Sequence, residues 1–286
     1  MNQGKEDEQR NIRNHQYYFN QGITLFNLRK YEDSIKELNI AIELEPNDPD
    51  SHYFKGEALS NLGRYDEALV EFDKAIKANP NEPYYHYSKG TVLIIMNRYD
   101  EALVEFDKAI KANPNESNFH NNKGVALLRG GKYREALIEF DIALKLNPNN
   151  LDYHLNRGDT LYILGRYDEA LVEVDSAAEL DPKNPKSYFL KSLILKTLKK
   201  YEEALKEINM AFNLNDKDAN ILLTFIELLV DLGKIDFAEK LLVSPMESIY
   251  YKSELCNIFK QVIDWPVTTA EERNFLIKII NDLCKV

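Results

Sequence analysis

The segment RYDEALVEFDKAIKANPNE occupies Arg64–Glu82 and occurs again, without a change, at Arg98–Glu116. The two copies start 98 − 64 = 34 residues apart. Residues 83–97, between the copies, differ strongly from the corresponding residues 49–63. Unchanged repetition at a fixed period indicates a stack of repeated units rather than one globular core. Because one half of the unit is fixed and the other varies, we expect the two halves to have different roles.

The same frame extends through most of the 286-residue chain without an insertion or deletion. It predicts seven units over residues 15–242, starting at residues 15, 49, 83, 117, 151, 185 and 219. A glycine recurs at one place in five units, at Gly22, Gly56, Gly90, Gly124 and Gly158. A proline closes five units, at Pro46, Pro80, Pro114, Pro148 and Pro182.

The apolar spacing within the repeated segment is helical. The positions i, i+1, i+4, i+7 and i+8 are apolar, and they are occupied by Ala68, Leu69, Phe72, Ala75 and Ile76. This pattern forms one face of a helix. Proline disfavours helical geometry in the residue before it, so Pro80 predicts the end of this helix at Asn79. Asp73 and Lys77 are spaced to form an i, i+4 ion pair on the exposed side. Each unit is therefore predicted to be two antiparallel helices.

This pattern of period, small residues and terminal proline resembles the tetratricopeptide repeat, from Tyr17 to Leu242. The resemblance implies an all-α fold, a right-handed superhelical solenoid of about seven helix-turn-helix repeats. It also implies that the variable first helices line a concave groove and that the fixed second helices form the outer wall. The last two units depart from the pattern, with Ser192 and Ile226 in place of the glycine.

In proteins of this family, the groove is lined by the second, fifth, sixth, ninth, twelfth and thirteenth residues of a unit. The resemblance thus implies these peptide-binding residues: Tyr53, Phe54, Tyr84, Tyr87, Thr91, Asn118, Asn121, Asn122, Arg129, Asn156, Asp159, Tyr162 and Lys186. An asparagine amide offers both donors and an acceptor, so Asn122 and Asn156 could hold a peptide backbone of any sequence. The alternative is that they only occupy a polar helix face.

The third unit is unusually apolar on its inner side, where Tyr84, Tyr87, Ile94 and Ile95 fall. Buried aromatic anchors commonly carry much of a binding energy. Alternatively, Ile94 and Ile95 pack between neighbouring units. The arrangement of Lys, Asn and Arg with which some members of the family clamp a carboxylate is incomplete, because Leu190 stands where the arginine should be.

Four histidines repeat in register, at His52, His86, His120 and His154. We interpret them as packed at helix interfaces. A metal chain is disfavoured, because helix layers lie roughly 8–10 Å apart whereas Zn–N bonds are about 2.0–2.1 Å long. Protonation that loosens the array below about pH 6 is a second hypothesis.

The net charge of −11, from 36 basic and 47 acidic residues, disfavours nucleic acids and anionic membranes as partners. It favours another protein or peptide segment, including one with basic stretches. We predict a cytoplasmic location, since the chain shows no signal peptide, no apolar run of about 20 residues and only two cysteines. No nucleophile, phosphate-binding or metal-ligand motif is present. We therefore predict no enzyme activity, no cofactor and no metal.

The two ends of the chain fall outside the frame. Residues 1–14 form a charged N-terminal segment, which is either flexible or extends the first helix. Residues 243–286 are predicted to cap the array with two helices over 247–263 and 269–283. The sequence thus predicts a monomeric scaffold that binds a partner segment in the groove. The alternative is a structural or self-assembling protein that associates through its ends or its tail.

Overall fold

The computed structural model describes residues 2–234, with side chains from residue 14 onward, and every element in that range is an α-helix. The helices are α1 Asn2–Asn27, α2 Tyr31–Leu44, α3 Pro49–Asn61, α4 Tyr65–Ala78, α5 Pro83–Ile95, α6 Tyr99–Ala112, α7 Ser117–Arg129, α8 Tyr133–Leu146, α9 Leu151–Ile163, α10 Tyr167–Leu180, α11 Pro185–Thr197, α12 Tyr201–Leu214 and α13 Ala219–Asp231. The all-α prediction is confirmed. The predicted tail helices lie outside the described residues.

The chain divides into two compact units. The first unit, Met1–Pro148, contains α1–α8, and the second unit begins at Asn149 and contains α9–α13. In both, consecutive helices pack as antiparallel pairs, and each pair packs on the next. Contacts of this kind depend only on neighbours, which is the organisation expected of a repeat protein.

Local signals set the helix boundaries. The carboxylate of Asp48 accepts a hydrogen bond from the Ser51 backbone N–H at 2.8 Å, which caps α3, and Pro49 occupies the first helical position. The helix α4 ends at Ala78, immediately before Asn79, as the following proline predicts. Between α3 and α4, Gly63 has a φ of +75°, a left-handed conformation that favours glycine in this turn.

The recurrent glycines allow the two helices of a pair to approach closely. A Cβ atom added to Gly56 would lie 2.7 Å from the Phe72 ring, and one added to Gly90 would lie 2.9 Å from the Phe106 ring. Ala68 is fully buried. Large rings on one helix thus occupy the space that glycine leaves on its partner.

The helix contacts define two sides of the first unit. The odd-numbered helices α1, α3, α5 and α7 contact one another in sequence, whereas the described even-numbered helices make no comparable contacts among themselves. The odd-numbered helices therefore lie on the concave side, and we call them the inner helices. In the second unit α9, α11 and α13 are related in the same way. The even-numbered helices are the outer helices.

One predicted ion pair is wrong. Asp73 does not pair with Lys77 on its own helix, because its Oδ1 atom lies 2.7 Å from Nζ of Lys89 on α5. The same contact joins Asp107 to Lys123 at 2.8 Å. These pairs therefore connect one repeat to the next instead of stabilising a single helix.

Candidate protein-binding groove

Aromatic rings run along the inner helices of the first unit. Phe54 on α3 contacts both Phe19 and Phe26 on α1, with ring centroids 5.9 Å apart in each case. Tyr53 contacts Tyr85 on α5 at 5.1 Å. Further along, Tyr84 and Tyr87 both pack against Phe119 on α7. Tyr85 and Phe119 are buried, so the rings that the inner helices leave partly exposed are Phe19, Phe26, Phe54, Tyr53, Tyr84 and Tyr87. Aromatic side chains of this kind commonly supply binding energy.

Hydrogen bonds cross from one inner helix to the next at a spacing of 35 residues. The Asn122 amide nitrogen donates to the Tyr87 hydroxyl at 2.8 Å, and the Ser88 hydroxyl donates to the Tyr53 hydroxyl at 3.5 Å. In the second unit, Tyr162 and Thr197 hydroxyls lie 3.2 Å apart. These bonds fix the tyrosine rings in place, so the face is organised before any partner binds.

The predicted groove residues of the first unit differ in exposure. Three are exposed, namely Tyr84, Asn118 and Arg129. Five are half-buried, namely Tyr53, Phe54, Tyr87, Thr91 and Asn122. Asn121 is only 8% exposed, and its amide donates a hydrogen bond to the Asn122 oxygen at 3.2 Å. Asn121 therefore orients Asn122, and its own amide is not presented to the groove.

The two isoleucines of the third unit have different environments. Ile94 is 6% exposed and belongs to the hydrophobic core between repeats, whereas Ile95 is 47% exposed. Ile94 thus packs between neighbouring repeats, as the alternative proposed, whereas Ile95 contributes to the apolar exposed surface of α5. Exposed Ile95 and Tyr84 are the large apolar side chains that α5 presents to solvent.

In the second unit the predicted residues line α9 and α11. Asn156, Asp159 and Tyr162 are half-buried and Lys186 is exposed. Tyr162 borders a cavity of about 560 Å³, whose walls include Phe189 and Leu193 on α11 and Leu223 and Glu227 on α13. The α13 residues were absent from the predicted set, although the position rule, applied to the seventh unit, would have found them.

Three titratable groups on the inner helices, Tyr53, Glu57 and Asp159, have raised pKa values. Burial raises the pKa of Glu57, and the neighbouring Ser88 hydroxyl partly opposes the effect. Burial and the neighbouring Glu57 raise the pKa of Tyr53 to about 12. Burial also raises the pKa of Asp159 in the second unit. Perturbed carboxylates in a cleft are typical of functional sites.

Of the histidines in register, His52, His86 and His120 are buried at helix interfaces, as predicted, and they also form polar networks there. His52 Nδ1 lies 2.6 Å from Glu71, and His52 Nε2 lies 3.0 Å from the Pro46 carbonyl oxygen of the preceding repeat. His86 repeats this arrangement with Glu105 and Pro80. Both ring nitrogens face acceptors, so only the doubly protonated ring satisfies both bonds. The hypothesis that protonation loosens the array stays a prediction.

The carboxylates in these networks are strongly stabilised as anions. Burial would raise the pKa of Glu71, but hydrogen bonds from His52, Lys55 and Lys74 lower it to about 2. At Glu105, an equivalent set of bonds lowers the pKa to about 2 despite burial. In the sequence, a glutamate follows each of these histidines after 19 residues. This recurring spacing could have predicted the network, but the sequence-based prediction did not include it.

Among the described residues, one group of three side chains has metal-ligand geometry. His15, Glu45 and Asp48 place one possible ligand atom each within 4.8 Å of one another. Asp48 Oδ2, however, already accepts hydrogen bonds from the backbone and side chain of Ser51. Its contact with His15 at 3.3 Å joins α1 to the start of α3, and this structural role explains the cluster.

The comparisons with known proteins agree with the helix pairs. One family model described as tetratricopeptide repeat matches residues 19–83, 87–150 and 124–185, and a second with the same description matches residues 185–218. The chain is a tetratricopeptide repeat protein. Its sixth repeat belongs to the array although Ser192 replaces the glycine. The tetratricopeptide repeat is a non-enzymatic scaffold for protein interactions. No curated protein matches the sequence significantly.

Solved structures share this fold. MamA from residue 41 onward, from Desulfovibrio magneticus RS-1, is 26% identical with a TM-score of 0.56, over 59% of this chain and 96% of that one. PilF from Pseudomonas aeruginosa is 22% identical with a TM-score of 0.66, over 77% and 99%. A tetratricopeptide repeat protein from Parabacteroides merdae is 15% identical with a TM-score of 0.68, over 94% and 99%. None of the described helices of the present chain has the length and apolarity needed to span a membrane.

Proposed function

We propose that this tetratricopeptide repeat protein binds a segment of a partner protein against the inner helices of its first unit, as a non-enzymatic adaptor. The observation that carries the proposal is a set of partly exposed aromatic rings on the inner helices, namely Phe19, Phe26, Phe54 and Tyr53 on α1 and α3, and Tyr84 and Tyr87 on α5. The hydroxyl groups of Tyr53 and Tyr87 take part in hydrogen bonds between inner helices. A preorganised aromatic face loses little entropy on binding.

The contrast between inner and outer helices also supports the proposal. The outer helices α4 and α6 have identical sequences, whereas the inner helices α3 and α5 differ at most positions. The identical helices bury Phe72 and Phe106 against glycine, so their sequence serves packing. The inner helices carry the side chains that distinguish one repeat from another.

A matched pair of variants tests the location of binding. Thr91 is half-buried on inner helix α5, and Val104 is 52% exposed on outer helix α6. We expect Thr91→Arg to abolish capture of partner proteins in a pull-down measured by mass spectrometry, and Val104→Arg to leave it unchanged. Loss of capture in the outer variant alone would contradict the proposal. As a control, circular dichroism should show that both variants remain folded.

A second candidate function is self-assembly through the outer helices. Val70, Val104 and Ile138 recur at one position of the outer helices and are 53%, 52% and 60% exposed. Lysine occupies this position in the first and sixth repeats, as Lys36 and Lys206, so the fold tolerates a charge there. If Val70, Val104 and Ile138 join two copies of the chain, light scattering will show an oligomer. Replacing these three residues with lysine should then dissociate it. A monomer at all concentrations excludes this candidate.

A further inference from the structure

Positive charge on α3 and α5 is directed away from the inner face. Lys55 Nζ lies 3.0 Å from Glu71 Oε1, and Lys89 Nζ lies 2.7 Å from Asp73 Oδ1. Both acceptors belong to outer helix α4. Neither α3 nor α5 contains another lysine or arginine. The cations of these two inner helices are therefore neutralised on the side that packs against the outer helices.

Glu57 lies on the opposite side of α3. Two residues on a helix are rotated by about 200°, so Glu57 points away from the Lys55 contacts. It is half-buried and lies beside the Ser88 hydroxyl on α5. Among the described residues it has no ion pair. A carboxylate that is partly removed from water without a cation is destabilised, and a basic ligand would relieve that cost.

The surroundings of Glu57 suit a guanidinium group better than other cations. Tyr53 and Phe54 precede Glu57 by four and three residues, so they lie one turn away on the same side of the helix. Phe19 and Phe26 extend this aromatic surface from α1. Arginine can form paired hydrogen bonds with a carboxylate and stack on aromatic rings, whereas lysine acts as a point charge.

We infer that Glu57 binds an arginine side chain of a basic partner segment held against the inner face of the first unit. The inference rests on the proposed function, because it specifies the chemistry of the partner. Asp159 supports it from the second unit, where it occupies the same repeat position, 159 − 57 = 102 residues later. Asp159 is half-buried on α9, and it has no hydrogen bond or ion pair with any described residue.

Four short peptides test the charge preference on the full chain by fluorescence anisotropy. One repeats the sequence Ser-Arg-Leu-Gly, and the others replace arginine with lysine, glutamine or glutamate. We expect affinity to fall in the order arginine, lysine, glutamine, glutamate. Binding of the arginine peptide should weaken between about 0.05 M and about 0.2 M salt, as expected for an ion pair.

Two variants, each of which removes one negative charge, test whether Glu57 is the residue that binds the arginine side chain. Removing the charge of one partner of a desolvated ion pair weakens binding strongly, so Glu57→Gln should lower the affinity for the arginine peptide at least about tenfold. It should leave the affinity for the glutamine peptide unchanged. The control Asp66→Asn removes an exposed carboxylate from outer helix α4 of the same repeat and should have no effect.

The outcomes separate this inference from the proposed function. Equal binding of the arginine and glutamine peptides, unaffected by Glu57→Gln but abolished by Thr91→Arg, overturns the inference and leaves groove binding intact. Binding that Thr91→Arg does not change overturns both. Failure of all four peptides to bind also overturns the inference, because it requires the arginine peptide to bind. Melting curves should show that Glu57→Gln is at least as stable as the wild type, since it removes an uncompensated charge.

Discussion

The side-chain amide of Asn122 donates a hydrogen bond of 2.8 Å to the hydroxyl group of Tyr87 on the preceding inner helix. The Asn122 oxygen accepts from Asn121 at 3.2 Å. The amide is therefore part of the contact between α5 and α7 as well as part of the surface that a ligand would meet. A substitution at this position changes stability and recognition together.

A double-mutant cycle measures the contribution of this bond to stability. Tyr87→Phe removes the hydroxyl and keeps the ring, and Asn122→Ala removes the amide. Each should lower the free energy of unfolding by about 0.5–1.5 kcal/mol, because a partly buried hydrogen bond is lost. The double variant should lose less than the sum of the two, in chemical denaturation experiments. Strict additivity would show that the two side chains do not interact.

The histidine networks make a specific prediction about substitutions at His86. In the sixth repeat, Tyr188 occupies the corresponding position, and its hydroxyl donates to the Pro182 carbonyl at 3.1 Å. His86→Tyr should therefore keep the bond to the Pro80 carbonyl, whereas His86→Phe leaves that group without its donor. We expect the phenylalanine variant to be less stable than the tyrosine variant by about 1–3 kcal/mol in urea unfolding. Equal stability of the two variants would contradict this role.

The depressed pKa values of Glu71 and Glu105 predict sensitivity to acid. Each carboxyl has an ordinary pKa of 4.5 that falls to about 2 in the folded chain. Their stabilising contribution is thus fully present above about pH 4.5 and is lost as the pH falls toward about 2, because in this range the unfolded state takes up protons that the folded state does not. The melting temperature of the wild type should fall more steeply over this range than that of a Glu71→Gln, Glu105→Gln double variant. Parallel curves would contradict the assignment.

The pairing of glycine with a large ring predicts a compensating substitution. Gly90→Ser should be destabilising, because the new Cβ would meet the Phe106 ring. In the sixth repeat, Ser192 and Ile208 occupy the corresponding positions, and both are fully buried. Adding Phe106→Ile to Gly90→Ser should therefore recover part of the lost melting temperature. If the double variant melts below the single variant, the compensation does not exist.

The sequence predicted the helices well because their signals are local. Pro49, Pro80 and the recurrent glycines act within a few residues of where they stand, so period and spacing were enough. The state of individual side chains depends on the neighbouring repeat. The burial of Asn121 and the partners of Asp73 follow from contacts with another helix, which the spacing within one helix does not reveal.

The candidate site was predictable in position but not in chemistry. The repeat position rule selected residues, from Tyr53 to Lys186, that lie on inner helices, and their contact with a partner stays a prediction. It could not show that Asn122 is already bonded to Tyr87, nor that Glu57 has no cation partner within residues 14–234 while Lys55 faces an outer helix. Those facts depend on how α3, α4, α5 and α7 are placed relative to one another. The predicted involvement of residues 243–286 lies outside the described residues and stays a prediction.

Site-specific photo-crosslinking tests the central claim most directly. A photoreactive amino acid placed at Thr91 reports on the inner face of the first unit, and one placed at Val104 reports on the outer face. With partner proteins present, we predict a crosslinked partner from position 91 and none from position 104. Crosslinks from position 104 alone would show that the outer helices carry recognition and would contradict the account.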